Sequence, residues 1–161
     1  MNPTREIALA QRAYGEGIQH CERHEYLAAV ACFTRAYRFN PCSAATLNFR
    51  GFALNNLKLY HMAIRDLKQA ILLDPLMSSA WNNTGFSYNH LKEHERAIVY
   101  FDQAIRIDPS NVSARTNRGR SLVSLGRRDE AMAEYLESRR IDPRSVFMYD
   151  DGQTGRGGLL I

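Results

Sequence analysis

His20 and His24 stand four residues apart with Cys21 between them, a spacing that could do chemistry. Imidazole and thiolate are zinc ligands, and residues four apart share one face of a helix. His90 and His94 repeat the spacing. A metal site needs three or four converging donors, and no further ligands accompany either pair. His20 falls on a helix-packing stripe and His24 in the turn after it, while His90 and His94 straddle a turn. Both pairs are therefore read as ordinary histidines, and no metal is expected. Gly152 to Gly158 is glycine-rich, as phosphate-cradling loops are, but no strand leads into it and no helix leaves it. The three cysteines, Cys21, Cys32 and Cys42, are odd in number and lack the CxxC spacing. They point to a reduced, cytoplasmic compartment. No nucleophile with a plausible base can be named, so the chain is not expected to be an enzyme or to carry a cofactor.

The elements that position these residues follow from a period. Pro41, Pro75, Pro109 and Pro143 are each 34 residues apart, as are Gly17, Gly51, Gly85 and Gly119, and Ala29, Ala63, Ala97 and Ala131. Between them the apolar residues keep a helical rhythm, as in Ile64, Leu67, Ile71 and Ala97, Phe101, Ile105. Proline disfavours the helical conformation of the residue before it, so a helix should end at Asn40, Asp74, Asp108 and Asp142. Helices are expected over 4–23, 27–40, 44–57, 61–74, 78–91, 95–108, 112–125 and 129–142. Glycine inside a helix costs up to about 1 kcal/mol, so four in phase require a close approach of packed helices.

The period and its residues resemble the tetratricopeptide repeat (TPR), whose pattern is W-x2-L-G-x2-Y, A-x3-F and a closing proline. Residues 78–111 match it best through Trp81, Gly85, Tyr88, Ala97, Phe101 and Pro109, with Thr84 where Leu is usual. The other repeats are 10–43, 44–77 and 112–145. The resemblance implies an all-α fold, a right-handed superhelix of four helix-turn-helix units with the first helix of each repeat (helix A) inside. A repeat domain is expected over 1–145 and a C-terminal stub with a glycine-rich, apolar-ended tail over 146–161. Stability should be nearly a sum of local terms.

Counting position 1 at residues 10, 44, 78 and 112, the stripe at positions 4, 8 and 11 faces helix B. At about 100° per residue, positions 2, 6, 9 and 13 then face away, with 5 and 12 at the margin. Those are also positions that the family uses for ligands. They carry Asn48, Phe49, Phe52, Asn82, Asn83, Phe86, Asn89, Asn117 and Arg120, with Asn55, Asn56 and His90 beside them. The inner surface is expected to be amide-rich, striped with aromatic rings and almost uncharged, Glu22 and Arg120 excepted. An asparagine side chain offers a donor and an acceptor that match one peptide unit. Asn83 and Asn117 resemble the asparagine ladder by which some of these proteins hold peptide backbone.

The function expected is a non-catalytic scaffold or adaptor that binds a protein or peptide, extended and with apolar anchors, in the concave groove. The family's clamp for acidic chaperone C-termini is not expected. Its lysines and arginine are missing, and Asn48, Phe52, Asn83, Ser113 and Asn117 occupy its positions. The alternatives are a structural subunit of a larger assembly and, ranked lower, a nucleic-acid-binding repeat. The net charge of +4 and the arginines of the fourth repeat (Arg115, Arg118, Arg120, Arg127, Arg128, Arg139, Arg140 and Arg144) suggest the latter, yet they point in several directions. No apolar run approaches a membrane span and no signal-peptide core opens the chain. Ser138 and Arg139 replace the apolar pair found earlier as Ala36–Tyr37, Ala70–Ile71 and Ala104–Ile105, as a polar end-cap would. Val146–Tyr149 is read as an aborted fifth helix packed near Ile141, and Leu159, Leu160 and Ile161 as an apolar tip that could dock in a groove.

Overall fold

The structure is a computed structural model that describes residues 3–145 and two backbone segments beyond them, 148–149 and 158–159. Among the described residues eight helices succeed one another: α1 (Pro3–Glu22), α2 (Tyr26–Phe39), α3 (Ala44–Asn56), α4 (Tyr60–Leu73), α5 (Ser78–His90), α6 (His94–Ile107), α7 (Val112–Ser124) and α8 (Arg128–Ile141). All eight expected helices form, with boundaries shifted by about one residue.

The stop and start signals recur at the repeat spacing. Asn40, Asp74, Asp108 and Asp142 leave helical geometry just before their prolines. Each side-chain oxygen then accepts the N–H two residues on, at Cys42, Leu76, Ser110 and Arg144, closing the turn. Ser43 and Asn111 cap α3 and α7 by accepting from the N–H groups of Thr46 and Ala114. In the turn between A and B, residues 24, 58, 92 and 126 all take positive φ, 59°, 60°, 66° and 75°. The N–H after each reaches back five residues, as from Leu59 to Leu54 and Glu93 to Tyr88, in the helix-ending motif that glycine favours. Only the last of the four is glycine, Gly126.

The packing reason for the in-phase glycines is visible. A Cβ on Gly17, Gly51, Gly85 or Gly119 would lie 2.5–2.6 Å from Phe33, Leu67, Phe101 or Tyr135, the side chains that helix B drives against helix A. Ala29, Ala63, Ala97 and Ala131 are fully buried beside them. Between repeats, Tyr37 and Ile71 pack with Leu47, Ala70 and Ala80. Each helix packs on the next, and α1, α3, α5 and α7 also touch one another in series, whereas the B helices do not. The A helices are thus the crowded inner row of the solenoid.

Two end features differ from expectation. Ser138 is buried rather than exposed, and the Ser145 hydroxyl lies within hydrogen-bond distance of the Ser138 carbonyl. Residues 148–149 form a strand, β1 (Met148–Tyr149), paired antiparallel with β2 (Gly158–Leu159), where a helix was expected. Strand geometry lets the two segments exchange backbone hydrogen bonds, which a one-turn helix too short to nucleate cannot match. The packing of the stub on Ile141 and the docking of Leu160 and Ile161 lie outside the described residues.

Candidate functional site

Helix A presents to the inner side the positions that do not face helix B, and the amides there are largely occupied with each other. Asn83 donates to the Oδ1 of Asn48 at 3.0 Å, and one repeat on Asn117 donates to the Oδ1 of Asn82 at 3.1 Å. Asn48 donates onward to Ser79. Asn55 donates to the Asn83 carbonyl and accepts from Ser87 at 2.6 Å, while Ser121 donates to Asn89. Asn111 and Ser78 make a further rung. These amide contacts form a series of rungs between neighbouring A helices.

This decides which sequence-derived candidates remain open to a ligand. Asn48 is 6% exposed with both ends of its amide bonded, and Asn55 is 4% exposed and likewise satisfied. They belong to the seam between repeats. Phe49 packs on Phe33 and Tyr14 in the core of the first two repeats. The Oδ1 of Asn83 and Asn117 and the Nδ2 of Asn82 and Asn89 make no hydrogen bond among the described residues, so half of each amide is left over. Phe52 is 37% exposed, Phe86 is half-buried and Arg120 is exposed. In the first two repeats a separate hollow between α1 and the start of α3 is lined by Ile7, Gln11, Tyr14 and Thr46.

Rings gather at the turn edge of this face. His90 stacks on Tyr60 with centroids 5.0 Å apart and planes 9° from parallel, and meets Phe86 at 4.4 Å. Tyr26 meets Phe52 edge-on at 6.2 Å. Burial, then the charges of Lys92, Arg120 and Lys58, push the His90 imidazole below its ordinary pKa. Lys58 and Lys92 sit in turns, outside the helical positions that were projected, yet both bear on His90. Tyr26, Tyr60, Lys58 and Lys92 were legible only as further 34-residue steps.

Three of the other four histidines are held in local hydrogen bonds: His20 with Glu25, His24 with Tyr26 and His94 with Asn89. Among the described residues no group of three potential ligands could hold a metal. The three thiols are free, and burial raises the pKa of Cys21 first, aided by Glu22. The arginines that suggested nucleic acid are partly neutralised. Arg115 and Arg118 converge on Glu134, Arg118 also pairs with Asp102, Arg127 with Glu130 and Arg140 with Glu137. Arg50 makes the corresponding bridge to Asp66 with both atoms of its fork. Among the described residues no helix is long and apolar enough to cross a membrane.

Family models described as tetratricopeptide repeat match residues 44–75, 78–111 and 100–146. No curated protein sequence matches the chain. Among solved structures it is similar to TTC0263, a thermophilic TPR protein in Thermus thermophilus. The TM-score is 0.78 and the identity 22%, with 83% of this chain and 75% of that one covered. MamA 41-end from Desulfovibrio magneticus RS-1 superposes with a TM-score of 0.75 at 19% identity, covering 83% and 76%. The first TPR of Spaghetti (RPAP3), bound to the HSP90 peptide SRMEEVD, gives 0.71 at 20% identity, covering 74% and 95%. At such identities the likeness establishes the fold.

Proposed function

The chain belongs to the tetratricopeptide repeat family, and from that premise we propose that it is a non-catalytic scaffold whose inner face holds an extended stretch of a protein partner. The observation that carries this reading is the pairing of unspent groups on one surface. Phe52 and Phe86 stand one repeat apart, next to half-used amides at Asn82, Asn83, Asn89 and Asn117. The solvent-facing parts of rings on neighbouring helices carry a hydration cost that a partner's apolar side chains relieve by covering them. A spare amide oxygen or N–H beside them can take one backbone group of an extended peptide. Arg120 adds a charge at the same face. Asn48 and Phe49 support the site from beneath and are not proposed to touch the partner. A reducing, cytoplasmic compartment fits three unbridged thiols.

The test is calorimetry with peptides selected on the immobilised protein from a random library. Phe52→Ala combined with Phe86→Ala should weaken their binding at least about tenfold, which is about 1.4 kcal/mol. The melting temperature should change little, since both rings lie at the solvent edge. Selected peptides that bind the double variant as tightly as the parent would overturn the reading.

A further inference from the structure

The B helices do not touch one another, so the outer side of the array carries a groove between each neighbouring pair, floored by the A helix between them. Three residues, one from each helix, meet at the same register of each groove. In the first, Thr34 of α2, Arg50 of α3 and Asp66 of α4 meet, and two nitrogens of the Arg50 guanidinium donate to Asp66 at 2.6 and 2.8 Å. In the third, Arg118 of α7 lies between Asp102 of α6 and Glu134 of α8, at 2.6 and 2.7 Å. The central cation of both grooves is thus neutralised from within. The same positions of the middle groove are Lys68 of α4, Thr84 of α5 and Tyr100 of α6. There a cation remains and the carboxylate is gone.

Aromatic rings stand where the carboxylate was. Tyr100 stacks on Tyr88 with centroids 5.2 Å apart and planes 24° from parallel, and meets Trp81 at 5.6 Å. Lys68 stands over the Tyr88 ring at 5.6 Å from one wall, and Arg96 at 5.9 Å from the other. The cleft between them, about 320 Å³, is lined by Lys68, Tyr88, Arg96 and Tyr100 together with Val99, which is exposed. That volume is enough for a small ligand. Lys68 forms no ion pair among the described residues. Its hydrogen-bond partners, Tyr88 and then Tyr100, raise its pKa above the ordinary lysine value but bring no negative charge. Arg96 pairs with Glu93 at 2.5 Å, where the arginine side chain is 69% exposed. An ion pair so exposed is weak, so a ligand can compete for Arg96.

We propose that this middle groove of the outer face binds a small organic carboxylate carried on an apolar or aromatic stem. The ligand's carboxylate lies between Lys68 and Arg96 and supplies the charge that Asp66 and Glu134 supply in the flanking grooves. Its stem lies along Tyr100 and Val99, where an aromatic ring extends the offset stack of Tyr88 and Tyr100. The ring floor shields one side of both cations from water, which strengthens their attraction for an anion. The groove opens away from the inner face, so it can be filled while a partner occupies that face.

Proton–nitrogen correlation NMR spectra of the full chain, titrated with sodium phenylacetate, test this. Phenylacetamide carries the same stem without the charge, acetate the charge without the stem, and phenyl phosphate a different anion. Phenylacetate should give saturable shifts centred on Lys68, Tyr88, Arg96, Val99 and Tyr100. It should bind at least about tenfold tighter than phenylacetamide or acetate. Lys68→Thr installs the residue that the first groove carries at Thr34, on an exposed site that leaves the fold intact, and should weaken phenylacetate at least about tenfold. Tyr100→Glu restores an internal carboxylate and should abolish binding, with its fold checked by a melting curve. No saturable binding, equal binding of phenylacetate and phenylacetamide, shifts centred elsewhere, or full affinity in Lys68→Thr overturns the site. Tighter binding of phenyl phosphate than of phenylacetate overturns the carboxylate as its ligand.

Discussion

Within a repeat the two helices meet through hydrocarbon, and between the second, third and fourth repeats the inner helices meet through amides. The first contact is the glycine of helix A under Phe33, Leu67, Phe101 or Tyr135. The second is the series Asn83–Asn48, Asn117–Asn82, Asn55–Ser87 and Asn89–Ser121. Apolar contact is strong but non-directional, so it makes the hairpin stable without fixing how hairpins are stacked. Hydrogen bonds are individually modest but fail when misaligned, so they set the register of one repeat on the next. The same placement explains why an inner face rich in asparagine has less to offer a ligand than its composition suggests.

The largest effect that would break this comparison is at the hairpin contact. Gly85→Leu forces a side chain into the Phe101 ring, and overpacking of this kind should cost about 3 kcal/mol in a denaturant titration. Gly15 is the opposing control, because nothing lies within 4 Å of a Cβ built there. Gly15→Ala should stabilise α1 by up to about 1 kcal/mol through helix propensity alone. Equal destabilisation by both variants would contradict the division between packing and non-packing glycines.

A smaller effect is expected at the seam. Asn55→Ala removes a donor to the Asn83 carbonyl and an acceptor for Ser87 inside a buried contact, and should cost about 2 kcal/mol. Asn117→Ala loses a single half-exposed bond to Asn82 and should cost about 1 kcal/mol. If either left thermal stability unchanged, the seam would be held by its apolar contacts only.

Helix number, boundaries and the glycine contact were legible because backbone signals act locally and repeat in phase. Asp74 before Pro75 ends its helix by sterics that need no tertiary knowledge, and Gly85 implies a neighbour whatever that neighbour is. The fate of Asn48 and Asn55 was not legible. Projection onto a wheel gives a residue's direction but not the separation of the next helix, and that separation decides whether an amide meets water or another amide. Lys58 and Lys92 were missed for a related reason: a left-handed turn redirects the chain, so a helical wheel does not extend to them. The strand at Met148–Tyr149 shows the limit of counting by repeats, since backbone pairing with Gly158–Leu159 takes the place of the helix that the phase alone implies.

The smallest effect lies at the end of the array, where the two kinds of contact meet. Position 27 of the repeat is Ala36, Ala70 and Ala104 in the first three units, each buried against the next hairpin. In the fourth it is Ser138, 0% exposed, with a hydroxyl that has no hydrogen-bond partner among the described residues. A buried hydroxyl gives up its hydrogen bonds to water on folding, and an apolar group of the same shape gives up nothing. Ser138→Ala should therefore stabilise the chain by about 1 kcal/mol, which raises the melting temperature by about 2–4 °C for a chain of this size. Ala104→Ser supplies the reciprocal. It places the same hydroxyl between two complete repeats, where the site is again apolar, and should lower the melting temperature by a similar amount. A rise from the first and a fall from the second would show that position 27 is hydrocarbon contact throughout the array. A fall from Ser138→Ala would show instead that the terminal hydroxyl is engaged in solution, and that polar contact joins the last repeat to the segment after Pro143, as it joins the inner helices to one another.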